Sequence, residues 1–292
     1  MKIPINSEQT LIDALVDSFP NSSKNKLRKM LTEGRISVNG EIEHKAKRDV
    51  KQSDNVEILD KTTSRELTPP PIQKPKNLNI IFEDEDILLV EKPAGLLSIA
   101  TNKMEPDTLH SRCVDYVKSK DLANWCFIVH RLDRETSGIM LLAFSKSSKE
   151  YLQEQFAERS VYRTYHALVE GHLPSERGTE IEWLLEDKNL RVKKVNPKTK
   201  SAKEAITHWE VTKTNQETSL VRIMIDTGRR HQIRMAMKSL GTPVVGDSLH
   251  GAETDPLGRI CLHASSLEFL HPRTDDPVRF ETRVPFNPKS QN

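Results

Sequence analysis

The chain has 292 residues, of which 29% are charged and 36% hydrophobic, and its formal net charge is +2. This length allows one large core and a smaller module, and the charge balance excludes a uniformly basic or acidic protein. No apolar run reaches the length of a membrane span and the N-terminus has no charged-then-apolar signal. We therefore expect a soluble, cytoplasmic protein.

Three cysteines, Cys113, Cys126 and Cys261, lie far apart and show no Cys-x-x-Cys spacing. Two of them lie in apolar runs. This pattern predicts reduced core thiols and indicates neither a disulfide framework nor a zinc site.

Residues 1–60 predict a small first domain. Apolar spacing indicates a helix around residues 11–16 and a second over 24–31, capped at Ser22 or Ser23. After these helices, Gly-Arg-Ile-Ser-Val-Asn-Gly at residues 34–40 predicts a short strand and a tight Asn-Gly turn. A further strand follows in Val-Glu-Ile-Leu.

From Lys24 to Arg48 there are eight Lys or Arg against three Glu, an excess of five positive charges. This run is either a solvated helix face or a surface that replaces counterions on an RNA backbone. The order helix, basic helix, Gly-Arg-Ile-x-Val-Asn-Gly, basic segment and strand resembles the small S-four RNA-binding domain. That resemblance implies RNA contacts from Lys24, Arg28, Lys29 and Arg35.

Residues 61–77 are polar and rich in proline, which predicts an extended, semi-rigid linker. The second domain, residues 78–292, opens with two strands around an acidic turn. A Lys-Pro-x-Gly bend at residues 92–95 follows. Asp107 is expected to cap a helix over 108–118, and residues 145–159 predict an amphipathic helix.

The most informative stretch is His130–Gly138, which lies between two apolar runs that predict buried strands. A loop tied to two core strands is a common place for function. Its Asp133 lies between two arginines, so we expect an ionised carboxylate held in one orientation. The alternative is a surface turn with a local salt bridge.

The pattern His-Arg-Leu-Asp-Arg-x-Thr-Ser-Gly resembles the signature of the RluA family of pseudouridine synthases, with Glu135 where Asp is more usual. In such an enzyme the aspartate is catalytic, here Asp133. The resemblance also implies that Arg131 helps to extrude the target uridine and that Arg134 contacts RNA.

The strand at Arg163-Thr-Tyr165-His-Ala167 resembles the family's Lys-x-Tyr-x-Ala motif, with arginine in place of lysine. A strand tyrosine is often simply a core residue. The resemblance implies instead that Tyr165 stacks on the flipped base and moves the proton at its ring carbon. Further on, Arg191–Lys203 holds six basic residues and no acids, which predicts a loop that is either solvated or grips RNA.

At residues 227–234, a Thr-Gly turn leads into a predicted helix that begins with two arginines, an arrangement that favours an anion site. The alternative is a basic surface helix. The segment resembles the family's Thr-Gly-Arg-x-His-Gln-Ile-Arg motif. By that resemblance, Arg229 pairs with the catalytic aspartate, and His231, Gln232 and Arg234 shape the RNA-facing edge.

The matches run from about residue 80 to 272 and imply an α+β fold. We expect a mixed, mostly antiparallel sheet (the pseudouridine synthase fold) preceded by a small α/β RNA-binding domain. The implied reaction isomerises uridine in ribosomal or transfer RNA, by a monomer with no cofactor or metal. Two rival hypotheses are a binding-only assembly factor and a glycoside or nucleoside hydrolase, which typically needs two carboxylates.

Overall fold

The computed structural model describes residues 1–5, 7–20, 22–32, 34–59, 78–101, 103–121, 124–188 and 190–288. The chain divides into two compact units, Met1–Ile72 and Gln73–Asn292. The predicted linker, residues 61–77, lies outside the described residues.

The first unit pairs two helices with a small sheet. Helix α1 is Leu11–Ser18 and α2 is Lys24–Thr32. The strands are β1 (Lys2–Ile3), β2 (Gln9–Thr10), β3 (Ile36–Val38), β4 (Glu41–Ile42), β5 (Asp49–Val50) and β6 (Val56–Ile58). The main sheet has the order β1-β6-β3-β4, and β2 pairs with β5.

Local sequence signals in this unit are confirmed. The Ser23 hydroxyl accepts a hydrogen bond from the Lys26 amide at 3.3 Å, as expected of a helix cap. Asn39 and Gly40 have φ values of 56° and 86°, which suit the tight turn between β3 and β4. Apolar side chains from both helices and the sheet form one buried cluster.

The second unit holds eleven strands and three helices in the part of the chain that the structure describes. The strands are β7 (Asn79–Glu83), β8 (Ile87–Lys92), β9 (Phe127–Ile128), β10 (Ser137–Ala143), β11 (Tyr162–Glu170), β12 (Arg177–Glu186), β13 (Val192–Lys194), β14 (Lys203–Thr214), β15 (Thr218–Ile225), β16 (Leu262–Leu270) and β17 (Pro277–Glu281). The helices are α3 (Leu109–Lys120), α4 (Lys146–Ala157) and α5 (Gln232–Ser239).

All eleven strands join one sheet. Its order is β13-β12-β14-β15-β11-β16-β10-β8-β7, with β17 beside β16 and β9 beside β10. Among the described pairs, β10 and β16 run parallel and the others run antiparallel. The predicted α+β class with a mixed, mostly antiparallel sheet is confirmed.

The parallel junction requires a glycine. Strand β10 is buried along its whole length, and Gly138 pairs with Ala264 of β16. Gly138 has a φ of +116°, and a Cβ atom there would lie 2.1 Å from the Ala264 carbonyl oxygen. Because both partners are backbone atoms of a packed sheet, neither can move aside.

Three local predictions need correction. Thr108, rather than Asp107, caps α3, with its hydroxyl accepting from the Ser111 amide at 3.0 Å. Asp107 instead forms an ion pair with Arg112. The segment predicted as a loop after residue 191 contains β13, and helix α5 starts at Gln232, so the two arginines precede the helix.

The three cysteines are buried and free, as predicted. None of the described helices combines the length and the apolarity that a membrane span requires.

We predict that Gly138→Ala destabilises the second unit more than a matched control does. Gly171→Ala is the control, because Gly171 also has positive φ (+70°) but nothing lies within 4 Å of its Cβ position. The control should cost about 1–2 kcal/mol for the backbone strain alone. Gly138→Ala adds overpacking of about 1–3 kcal/mol or more. Urea unfolding of both variants measures the difference, and equal losses would contradict the steric argument.

Candidate active site

A cavity of about 460 Å³ opens on the sheet of the second unit. Three elements supply its functional walls: the loop between β9 and β10, strand β11, and the turn between β15 and α5. The residues predicted as catalytic, Asp133, Tyr165 and Arg229, all line it. Residues far apart in sequence are thus brought to one cavity, as the motifs implied.

Backbone contacts hold the loop on both sides of Asp133. The Ser98 hydroxyl accepts from the Leu132 amide at 3.1 Å and lies 2.7 Å from the Leu132 carbonyl. On the other side, the Arg134 carbonyl accepts from Lys92 Nζ and from the Gly95 amide, each at 2.9 Å. The backbone position of Asp133 is therefore set by its neighbours.

Lys92 is a site residue that the sequence did not identify, because its Lys-Pro-x-Gly motif predicts only a bend. Its side chain is fully buried, and Nζ also donates to the Pro93 and Leu96 carbonyls at 2.9 and 2.7 Å. Burial lowers the pKa of Lys92 to about 7, although the charges of Glu135 and Asp133 act to raise it. A lysine that ends a strongly apolar strand was the available signal.

The Asp133 carboxylate is half-buried and, among the described residues, makes no hydrogen bond or ion pair. The prediction that flanking arginines hold it is wrong for this structure. Arg131 and Arg134 are both exposed, and Arg134 Nε donates to the Gly95 carbonyl at 3.2 Å. Adjacent side chains diverge from the backbone, so sequence neighbours need not pair.

Arg229 and Asp133 are both described by the structure, and the ion pair expected between them is not formed. Arg229 Nε donates instead to the Glu204 carbonyl at 3.0 Å. Its backbone amide donates to Gln232 Oε1, also at 3.0 Å. Arg229 nevertheless lines the same cavity as Asp133 and is half-buried.

Gln232 and Arg234, predicted to shape the RNA-facing edge, line the cavity but offer little exposed surface. They are 3% and 5% exposed. Gln232 accepts from the Thr227 hydroxyl at 2.7 Å, and Arg234 makes a bidentate pair with buried Asp247 at 2.6 and 2.7 Å. Gln232 also accepts from the Arg229 amide and so shapes the turn that carries Arg229, whereas Arg234 ties α5 to Asp247.

His231 does line the cavity. It caps α5 with a φ of +54°, and its Nδ1 lies 3.1 Å from His250 Nε2. Burial lowers the pKa of His231 to about 4. His250 is therefore a direct neighbour of the site.

Tyr165 is 8% exposed and forms part of the cavity wall. The register of β11 against β16 shifts beside it, so that Ser265 has no partner in the ladder. Such bulges re-aim neighbouring side chains. Burial raises the pKa of Tyr165, whereas the Arg163 guanidinium on the same wall acts to lower it.

Two histidines, not identified from the sequence as structural residues, hold the loop at its ends: His130 is half-buried and His263 is fully buried. His130 Nε2 accepts from the Leu141 amide at 3.1 Å, and its burial lowers its pKa to about 3. At the other end, Ser137 Oγ lies 2.7 Å from His263 Nδ1, and burial lowers the pKa of His263 to about 4. Both rings are therefore neutral at physiological pH.

The first unit carries the other predicted RNA contacts. Lys24 and Arg28 are exposed and lie four residues apart on α2, hence on one face. Lys24 lies 3.4 Å from Asp13, and Arg35 Nε donates to the Leu59 carbonyl at 3.4 Å. The side chain of Lys29 lies outside the described part.

Among the described residues, one group is close enough to hold a metal ion: Asp84, Asp86 and His271. His271 Nε2 lies 2.8 Å from Asp84, and Arg273 pairs with Asp86. None of the three lines the catalytic cavity.

A carboxylate on a rigid loop, beside cations and a buried tyrosine, defines an enzyme site suited to an anionic substrate. The chain belongs to the RNA pseudouridylate synthase family, whose pattern matches residues 86–239, more than half of the sequence. It is thus an RNA pseudouridine synthase, an isomerase.

Two relatives and one solved structure agree with this assignment. The chain is 34% identical to an uncharacterized RNA pseudouridine synthase of Mycoplasma genitalium, over 95% of this chain and 89% of the relative. It is 30% identical to the ribosomal large subunit pseudouridine synthase D of Xanthomonas campestris, over 97% and 88%. The human RNA pseudouridylate synthase domain-containing protein 1 aligns with a TM-score of 0.59 at 25% identity, covering 76% of this chain and 88% of that one.

The low pKa values of His130 and His263 predict that the free energy of unfolding falls in acid. The unfolded chain takes up a proton on each histidine near pH 6.5, whereas folded His263 does so only near pH 4. Stability is therefore complete above pH 6.5 and is lost as the pH falls toward 4, by up to about 1.4 kcal/mol per pH unit for each histidine. His263→Gln should reduce the slope of the free energy of unfolding against pH by up to about 1.4 kcal/mol per pH unit, which corresponds to one proton. Urea unfolding between pH 4 and 7 measures the slope, with exposed His172→Gln as the control; parallel slopes in both variants would refute the assignment.

Proposed function

We propose that this enzyme isomerises specific uridines of structured ribosomal RNA in the cytoplasm, with Asp133 as the reactive carboxylate and without a metal or organic cofactor. The observation that carries the proposal is the contrast at Asp133. Hydrogen bonds hold the backbone on both sides of Asp133. Its carboxylate borders the cavity and, among the described residues, makes no hydrogen bond or ion pair. A rigidly placed but unengaged carboxylate is available for reaction with a bound sugar.

The reaction itself explains why one carboxylate suffices. The bond from sugar C1′ to uracil N1 breaks, the base turns, and a bond from C1′ to C5 forms. The C5 proton leaves and N1 gains one, so no electrons or water are consumed. A carboxylate suits this chemistry because it acts on a sugar that becomes cationic as the bond breaks.

The target uridine must leave its stack before Asp133 can reach it. Arg131 is exposed and lines the cavity two residues before the aspartate. Its guanidinium fills the vacancy left in the RNA. Arg229 lines the same cavity, and its attraction to the Asp133 carboxylate strengthens once RNA excludes water.

Tyr165 receives the flipped base. Its ring lies in the cavity wall, where uracil can stack, and its hydroxyl relays the proton that leaves C5. Arg163 supports this relay because its charge opposes the rise in pKa that burial causes at the Tyr165 hydroxyl.

The first unit acts as an S-four-like RNA-binding module. Lys24 and Arg28 offer two charges on one exposed helix face, where they can replace the counterions condensed on RNA phosphates. The choice of ribosomal RNA is supported by the Xanthomonas relative, a ribosomal large subunit pseudouridine synthase whose match extends over 97% of this chain.

We predict that Asp133→Asn abolishes turnover and leaves RNA affinity within about threefold, because the isosteric amide removes only the charge. Asp226→Asn is the matched control, since Asp226 lines the same cavity but is bonded to His208 at 3.1 Å. Pseudouridine mapping of total RNA from cells lacking the gene should show missing ribosomal sites. Wild type and Asp226→Asn should restore them and Asp133→Asn should not.

Sites missing only from transfer RNA would overturn the substrate assignment. Restoration by Asp133→Asn would overturn the role of the aspartate.

We predict that Tyr165→Phe lowers kcat by roughly 100-fold or more, because stacking persists but the hydroxyl is lost. Tyr162→Phe, on the same strand and 70% exposed, should retain full activity. Release of tritium from 5-tritiated uridine in a transcript measures the rate. A Tyr165→Phe rate equal to that of Tyr162→Phe would assign Tyr165 a packing role only.

A further inference from the structure

A second cavity of about 710 Å³ lies between the β12–β13 hairpin and helix α5. We call it the basic groove, because every charged side chain among its described lining residues is a lysine or arginine. These are Arg191, Lys193, Lys194, Arg230 and Lys238. Two histidines, His231 and His250, also line it.

The groove is a built feature rather than a gap between mobile side chains. Its floor includes Val192 and Met235, which belong to a small apolar cluster between the hairpin and α5. Lys194 lies 3.1 Å from Glu182, a carboxylate that also accepts from the Ser239 hydroxyl of α5. This chain of polar contacts ties the two walls together.

The other cations are less engaged. Arg230 lies 3.6 Å from Glu186. Lys193 and Lys238 are exposed, and their side chains form no ion pair in the described part of the chain. Arg191 is also exposed, and its backbone amide donates to the Asp187 carboxylate at 3.0 Å. The rim thus carries positive charge that is available to an outside anion.

The groove is continuous with the active site. An intermediate cavity of about 470 Å³ shares Asp133 and His231 with the catalytic cavity. It shares Arg230, Leu190 and Leu249 with the groove. The two leucines are 52% and 68% exposed, so they offer apolar surface beside the cations.

We infer that the basic groove binds the phosphates of the RNA strand as it leaves the flipped uridine, and so sets the affinity for substrate. This inference rests on the proposed function, because a uridine held at Asp133 remains covalently joined to its neighbours. Those nucleotides must leave the cavity along some surface. The groove offers one that is cationic, rigid and connected to Asp133, with exposed leucines against which base faces can pack.

The test uses the full chain and an unmodified in vitro transcript of ribosomal RNA as the probe. The variant is Lys193→Ala/Lys238→Ala. The charge-matched control is Lys146→Ala/Lys213→Ala, because both lysines are exposed and line neither the groove nor the catalytic cavity. Filter binding over a range of salt concentrations gives Kd, and tritium release gives kcat and KM.

We expect the groove variant to raise Kd and KM roughly tenfold near physiological salt and to reduce the slope of log Kd against log salt by about one to two. Its kcat at saturating transcript should match that of the control. Equal Kd values and salt slopes for the two variants would overturn the inference, as would a loss confined to kcat.

Failure of the proposed function gives a different result. Wild type would then release no tritium, while Kd on the same transcript would still report whether the groove binds RNA.

Discussion

The backbone of the loop around Asp133 is fixed by contacts on both sides, and the site depends on that constraint. On one side the buried Nζ of Lys92 donates to three carbonyls, including that of Arg134. Burying an amino group is costly, and three good acceptors offset much of the cost. On the other side Ser98 holds Leu132. The aspartate is thereby positioned without being neutralised, which a direct ion pair would not achieve.

This loop also depends on how the sheet is assembled. The parallel junction of β10 and β16 brings Gly138 against Ala264 and places Ser137 beside His263. Arg259 donates to the same Ser137 hydroxyl at 2.7 Å. A polar chain of this kind is stable in a core only when each member has a partner, so it specifies one arrangement of the loop.

The cations around the site and the basic groove differ in whether they are paired. Arg234 pairs with Asp247 and Lys194 pairs with Glu182. In the described part of the chain, Lys193 and Lys238 are exposed and have no ion-pair partner. A net charge of only +2 conceals this division, because affinity for a polyanion depends on where charges lie rather than on their sum.

The sequence by itself determined the features that depend on local chemistry: the Asn39-Gly40 turn, a serine cap before α2 and the order of the motifs that mark the family. Tertiary structure alone decided the partners of the charged groups. Arg229 meets the Glu204 carbonyl and Arg234 meets Asp247, neither of which its neighbours in sequence indicate. A turn or cap is set by a few adjacent residues, whereas an ion pair or a buried lysine depends on which distant backbone the sheet brings within reach.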